Sequence, residues 1–214
     1  MSHDLNPWQP PFEALGRRRF LYGLALGAGC GALATWLFVR RSPVPTESPT
    51  SGSTADVPSL DHAKFMRRAI EQARKVPDFP FGAVIVRAGD GEVVAEGHNR
   101  SLDNPTYHGE MVAINNCAAR HPGIAWEPLV LYTTAEPCPM CQSAIEWAGI
   151  GAVVFGSSIP FLKDLGWWQI DIRADEVIRR TTFRRTRLLG GVLETECNAL
   201  FQAVPRGPLR DKPR

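Results

Sequence analysis

The stretch TTAEPCPMC, residues 133–141, contains two cysteines, Cys138 and Cys141; Cys138 lies between two prolines, and Met140 precedes Cys141. By themselves they fit metal ligands, a redox pair or two buried thiols. Because they are three positions apart, a helix that begins near Pro139 would place both on one face at its N-terminus. Free N–H groups and the helix dipole favour thiolates there, and thiolates are the form of cysteine that binds metals.

The sequence YHGEM, thirty residues upstream, adds His108 and Glu110. His108 would be a third ligand and would leave the fourth position of zinc for water, as in catalytic zinc sites. Glu110 would accept the proton of that water. A redox pair does not need His-x-Glu, and a structural zinc site would need a fourth Cys or His. We therefore predict one zinc per chain, bound by His108, Cys138 and Cys141.

Residues 77–160 resemble the cytidine/deoxycytidylate deaminase superfamily, whose signature is His-x-Glu followed by Pro-Cys-x-x-Cys. The segments FPFGAVIV, EGHN and LYTTAEPCPMC are most similar to bacterial guanine deaminases and tRNA adenosine deaminases. One departure is Gly109, where alanine is usual; it would loosen the helix start without removing a chemical group. The resemblance implies that Glu110 protonates a ring nitrogen and later the departing ammonia, while zinc activates the attacking water.

The function that the resemblance implies is hydrolytic deamination of an amino-bearing purine or pyrimidine base or nucleoside, with guanine-like substrates slightly favoured. The enzymatic alternative is a tRNA adenosine deaminase. The non-enzymatic alternative is a zinc-bound module for binding or assembly, although binding alone would not need the proton shuttle Glu110. Whether the protein is a homodimer is open.

Four further residues are candidates for substrate contact. Asn99 ends the segment EGHN, whose asparagine contacts substrate in the related deaminases; a turn residue is the alternative. In the segment GWWQID, residues 166–171, Trp167 or Trp168 could stack on a substrate ring, and Asp171 could form hydrogen bonds with the edge of that ring. Adjacent tryptophans are otherwise commonly a core residue beside a surface residue.

Helical and strand patterns alternate along the domain, which predicts a sheet covered on both faces and sites at strand ends. Together with the resemblance, this indicates an α/β, three-layer α/β/α cytidine-deaminase-like fold with a mixed sheet of about five strands. Predicted helices cover 60–75, 108–120, 139–148 and 192–203, and predicted strands cover 81–88, 92–99, 129–134, 151–157 and part of 182–189, the first two forming a hairpin.

Residues 1–41 are predicted to be a signal or membrane anchor. Arg17, Arg18 and Arg19 precede an uncharged run over 20–39, which is long enough to cross a bilayer at roughly 20 residues per span. RRRFL resembles the twin-arginine export signal, and a plain membrane anchor is the alternative. We expect an exported domain, either periplasmic or membrane-anchored; the alternative is a membrane-anchored domain in the cytoplasm. Signal cleavage is open.

The remaining boundaries follow from composition. Residues 42–59 contain four prolines and eight serines or threonines, which predicts a flexible linker. The deaminase domain is expected over 60–203, and 204–214 should be a disordered tail.

Charge and cysteine usage limit the remaining partners. The net charge of +2 gives no strong electrostatic case for nucleic acid. Acidic residues stand among the arginines between 173 and 187, so this segment is interpreted as a solvated surface. A small-molecule nucleobase or nucleoside is therefore the expected partner. Cys117 and Cys197 are expected in the core, with a disulfide between them as the alternative.

Overall fold

The computed structural model describes residues 57–183 and 185–204 of the 214-residue chain. The predicted signal or anchor over 1–41, the linker up to residue 56 and the tail beyond residue 204 lie outside the described residues. Within the described ranges, no helix is both long and apolar enough to cross a membrane.

Helices and strands alternate over most of the described chain, close to the predicted boundaries. In chain order the elements are α1 (His62–Arg74), β1 (Gly82–Arg87), β2 (Val93–His98), α2 (Gly109–Arg120), β3 (Leu129–Ala135), α3 (Pro139–Ala148), β4 (Ala152–Ser157), α4 (Ile159–Asp164), α5 (Ala174–Arg180), β5 (Arg187–Leu189) and α6 (Glu194–Gln202).

In the described part of the chain, five strands form one mixed sheet in the order β2-β1-β3-β4-β5. Strand β1 pairs antiparallel with β2 and with β3, and the predicted hairpin is the β1–β2 pair. Strand β4 pairs parallel with β3 and with β5. Helix α3 makes the crossover between β3 and β4, so the motif stretch TTAEPCPMC runs from the carboxyl end of a central strand into a helix.

Successive residues of a strand face opposite sides of the sheet and pack against different helices. Tyr132 belongs to a core cluster with residues of α1 and with Cys197 of α6. Its neighbour Leu131 belongs to a second cluster with residues of α3 and with Cys117 of α2. Helices therefore cover both faces, which confirms the predicted three-layer α/β/α fold.

The two core cysteines lie in these opposite clusters, and both are free. A disulfide needs Cα atoms within about 7 Å of each other, whereas a sheet and its packed side chains separate the two thiols. The alternative that Cys117 and Cys197 pair is therefore wrong.

The last third of the domain differs most from the prediction. Helices α4 and α5 were not predicted, and β5 has only three residues of the expected 182–189 segment. Helices of six and seven residues are too short to show a repeated apolar period in the sequence. On α5, Arg179 and Arg180 form ion pairs with Asp175 and Glu176 one turn earlier, as expected of a solvated helix face.

Helix α2 packs directly onto β2 at Gly97. A Cβ atom on Gly97 would lie 2.3 Å from the carbonyl oxygen of Gly109 and 2.5 Å from the backbone nitrogen of Ala113. Only glycine leaves room for this approach. The contact therefore holds the N-terminal turn of α2 close to the hairpin.

Candidate active site

The first half of the site comes from the start of helix α2. His108 is the N-cap residue, with φ −66° and ψ 161°, and Glu110 is the second residue of the helix. Residues at i and i+2 do not share a face of a continuous helix. Because the backbone changes from extended at His108 to helical at Glu110, both side chains reach the side of the predicted metal site, as expected from the sequence.

The second half comes from the loop between β3 and α3. Cys138 is the N-cap residue of α3, with ψ 165°, and Pro139 is the first helical residue. Cys141 follows in the first turn and is fully buried. The two cysteines therefore lie at the helix N-terminus, as the motif predicted.

The three predicted zinc ligands come together. Their ligand atoms all lie within 4.8 Å of one another. The Nδ1 atom of His108 lies 3.7 Å from Sγ of Cys138 and 3.6 Å from Sγ of Cys141. Ordinary zinc bond lengths and tetrahedral angles require an N···S separation of about 3.6 Å. The donor set and its spacing therefore fit a zinc ion with three protein ligands and one position for water or substrate.

The electrostatics of the site favour a thiolate. A hydrogen bond from the Cys141 thiol is the main cause that lowers the pKa of Cys138 to about 4, and His108 contributes. The bond with Cys138 raises the pKa of His108. The shared bond between the sulfur atoms and burial raise the pKa of Cys141 well above its usual value. A metal ion would deprotonate this second thiol as it coordinates it.

The carboxyl group of Glu110 is buried against these ligand atoms, with 3% of the residue exposed. Its Oε2 accepts from Sγ of Cys141 at 3.6 Å, and its Oε1 accepts from Oγ1 of Thr133 at 3.3 Å. Burial is the main cause that raises the pKa of this carboxyl group. A buried carboxyl group with a raised pKa takes up a proton more readily than an exposed one does.

Asn99 lies beside the start of α2. Its backbone N–H donates to the carbonyl oxygen of Phe81 at 2.9 Å, and that oxygen would lie 2.7 Å from a Cβ on Gly109. The side-chain oxygen of Asn99 accepts from the N–H and the hydroxyl of Ser101, which is the geometry of a turn residue. The structure thus places Asn99 next to the site, and its contact with substrate stays a prediction.

The other three predicted substrate residues lie between α4 and α5. The ring of Trp167 packs edge-on against Phe81, with 5.4 Å between centroids. Trp168 is 65% exposed, and Asp171 forms an exposed ion pair with Lys163. None of these contacts involves a zinc ligand, so the roles of Trp167, Trp168 and Asp171 in substrate binding also stay predictions.

The sequence analysis did not single out two buried polar residues, Thr133 and Glu136. Thr133 donates to Glu110, as described above, and Glu136 has a fully buried side chain. The carboxylate of Glu136 accepts hydrogen bonds from residues that are 23 to 38 positions away. The position of Glu136 in the sequence could have indicated its importance, because it is an acidic residue between a buried strand and the first cysteine of the motif.

Comparisons with known proteins agree with this geometry. The family model of the cytidine and deoxycytidylate deaminase zinc-binding region matches residues 59–157, which include all three predicted zinc ligands. Guanine deaminase from Bacillus subtilis is 38% identical over 104 residues, covering 46% of this chain and 65% of that protein. The tRNA-specific adenosine deaminase of the same species is 31% identical over 148 residues, covering 66% of this chain and 87% of that protein.

A solved structure of guanine deaminase from Nitrosomonas europaea shares the fold. It superposes with a TM-score of 0.58 over 66% of this chain and 83% of that chain, at 22% sequence identity. The sequence similarity to a relative over most of that relative's length gives the relationship independently of the fold. On the motif, the fold and this similarity, the chain belongs to the cytidine and deoxycytidylate deaminase family.

Proposed function

We propose that the protein catalyses zinc-dependent hydrolytic deamination of an amino-bearing purine or pyrimidine base or nucleoside. The observation that carries the proposal is the buried carboxyl group of Glu110 beside three ligand atoms that fit zinc. A zinc site that only stabilises a fold has four protein ligands. A module that only binds or assembles has no need of a buried proton-transfer group.

The roles of the side chains follow from their positions. His108, Cys138 and Cys141 would hold zinc, which when bound lowers the pKa of a water molecule and polarises it. Glu110 would accept a proton from that water and pass it to the ring nitrogen beside the amino-bearing carbon. As the carbonyl group of the product forms, the hydroxyl group added to that carbon would give its proton to Glu110. The carboxyl group would donate this proton to the amine, so that the C–N bond breaks and ammonia leaves as a neutral molecule.

Guanine-like purines are our preferred substrates within this class. The support is the similarity to Bacillus subtilis guanine deaminase and the small net charge of +2, which gives a long polyanion little attraction. The ion pairs of Arg179 and Arg180 on α5 reduce the free positive charge of this region further.

A tRNA adenosine deaminase is the second candidate. The observation in its favour is the match to the tRNA-specific enzyme of Bacillus subtilis, which covers 66% of this chain and 87% of that protein. A tRNA substrate would have to be bound by a basic surface, and binding would weaken steeply with salt. A free base would show no such dependence.

Ammonia release from a panel of amino-heterocycles tests the proposal. The panel contains guanine, guanosine, adenine, adenosine, cytosine, cytidine and an anticodon-loop RNA with adenosine at the wobble position. We expect release from a base or nucleoside, at a rate nearly independent of salt between 50 and 200 mM, the range over which binding to nucleic acid changes by about 10³ or more. Release only from the RNA would favour the second candidate. A zinc-loaded protein that releases ammonia from nothing in the panel would favour the non-enzymatic module.

We also propose that the domain acts outside the cytoplasm. The support is the RRRFL sequence ahead of the uncharged run over 20–39 and the Pro/Ser/Thr-rich linker over 42–59. Export of the folded domain would let it acquire zinc before its thiols meet an oxidising environment.

A further inference from the structure

Glu136 has a fully buried carboxylate two residues before the zinc ligand Cys138. A buried carboxylate is costly unless its oxygens are paired and hydrogen-bonded. The Nε atom of Arg173 donates to both oxygens, at 2.7 and 2.8 Å. The backbone N–H of Ala174 donates to Oε1 at 3.0 Å, and that of Ile159 donates to Oε2 at 2.9 Å. The carboxylate is therefore fully engaged within the protein.

These donors bracket one stretch of chain. Ile159 is the first residue of α4 and Ala174 is the first residue of α5. Between the two helices lie residues 165–173, which we call the α4–α5 connection. One carboxylate thus ties both α4 and α5 to the loop that carries Cys138.

The α4–α5 connection contacts the wall of the site. The ring of Trp167 packs against the ring of Phe81. The carbonyl oxygen of Phe81 accepts from the backbone of Asn99 at 2.9 Å and lies against Gly109, between the ligand His108 and Glu110. A shift of the connection would therefore be passed to Phe81 and Asn99, which we call the wall of the site.

We infer that Glu136 is a positioning residue for substrate binding. Its hydrogen bonds hold the α4–α5 connection against the loop that carries Cys138. Through the contact of Trp167 with Phe81, they also fix the position of the wall formed by Phe81 and Asn99. This inference rests on the proposed deaminase function. Glu136 would act through these bonds and not on the substrate itself, because each of its oxygens already accepts from Arg173 and from a backbone N–H.

Glu136→Gln tests the inference. The amide keeps the shape but loses the ion pair, and its NH₂ group would face a backbone donor. We expect KM for the best substrate to rise about tenfold or more, because hydrogen bonds to charged groups are the stronger ones, while kcat changes less than about threefold. Zinc content should equal that of the wild type. Two variants of Arg173, whose side chain is partly exposed, disturb the fold less. Arg173→Met should raise KM, and Arg173→Lys should bring KM part of the way back to the wild-type value.

Glu146→Gln is the matched control. Glu146 is also a buried carboxylate, on the zinc-ligand helix α3, but it bonds Gln142 and the backbone of Thr186 instead of the connection. We expect it to lower thermal stability with KM unchanged. If Glu146→Gln raises KM as much as Glu136→Gln does, the effect is general destabilisation and the inference is wrong.

Hydrogen exchange provides a readout that does not need activity. Amides of residues 165–173, together with those of Ile159 and Ala174, should exchange faster in Glu136→Gln and Arg173→Met than in Glu146→Gln. Unchanged exchange, or faster exchange with KM at the wild-type value, overturns the inference while leaving the proposed function intact. If the wild type deaminates nothing, the proposed function fails, and exchange still decides whether Glu136 holds the connection.

Discussion

At the scale of single residues, the site depends on distances between a few side-chain atoms. The nitrogen of His108 lies 3.6 and 3.7 Å from the two sulfur atoms, the separations that a tetrahedral zinc ion requires. Glu110 lies next to these atoms but in hydrogen-bond contact with Thr133 and Cys141. The proposed zinc ligation and the proposed proton transfer involve different residues, so substitutions should separate the two roles.

Purified protein should carry one zinc per chain, and Cys138→Ala should lose most of it because two ligands remain. Cys117→Ala is the control. It also removes a buried thiol, but this thiol lies in a hydrophobic core cluster and not among the predicted zinc ligands. Metal analysis of the three proteins measures this. Wild type without zinc, or Cys138→Ala with full occupancy, would disprove the ligand assignment.

Glu110→Gln should retain zinc and nearly abolish deamination. The amide fills the same space but cannot take up the water proton, and general acid–base steps contribute roughly 100- to 10,000-fold. We expect a loss in kcat at the upper end, because one carboxyl group serves several transfers. Glu96→Gln, on β2 and bonded to Arg68 and Gln72, should keep its activity. Glu110→Gln within tenfold of wild type would place the proton shuttle elsewhere.

At the scale of elements, both halves of the site are helix starts. His108 is the N-cap of α2 and Cys138 is the N-cap of α3, and neither side chain makes a capping hydrogen bond. The side chains that would ordinarily stabilise the first turn are instead turned towards each other. Packing holds these helix starts in place, including the approach of α2 to β2 at Gly97.

Gly109→Ala should destabilise the fold, although alanine is usual at this position in the family. A Cβ there would lie 2.7 Å from the carbonyl oxygen of Phe81, and a backbone atom cannot rotate away. Overpacking of this kind costs about 1–3 kcal/mol in the free energy of unfolding, which urea denaturation monitored by circular dichroism measures. Gly89→Ala is the control, because no atom lies within 4 Å of a Cβ at that position. It should change the free energy of unfolding by less than about 0.5 kcal/mol. Equal effects would show that α2 can move away from Phe81.

At the scale of the whole molecule, the helices on the two faces of the sheet differ in what they contribute to the candidate site. Both faces carry a hydrophobic core, but only the helices of one face, α2 and α3, supply the predicted zinc ligands, at their starts. The proposed export adds a further requirement, since a site of two thiols and one imidazole is vulnerable to oxidation before the metal binds.

Replacing Arg17, Arg18 and Arg19 together with lysine should keep active enzyme inside the cell. The twin-arginine route carries folded proteins, and the triple replacement removes either choice of arginine pair. Protease treatment of spheroplasts measures the outcome: the wild type should be cleaved and the triple variant protected. A variant that is still cleaved, or a wild type that is protected, would contradict export and strengthen the case for a cytoplasmic tRNA substrate.

The amino-acid sequence by itself determined which residues form the candidate site and where most of the elements lie. His108, Glu110, Cys138 and Cys141 stand in a spacing that few other functions use, and the ligand pair of cysteines needs only one helix turn to converge. The β1–β2 hairpin follows from two apolar runs and a short turn. Each of these features depends on residues that are close in the chain or on a motif whose spacing is fixed.

Only the tertiary structure decided which distant residues meet. Glu136 bonds Arg173 and Ala174 across 37 and 38 positions, and no local pattern specifies such a contact. Cys117 and Cys197 are both buried, yet the sheet lies between them. Their burial follows from hydrophobicity, which a sequence displays. Their separation, like the partners of Glu136, follows from which strand faces and helices pack together in the folded chain.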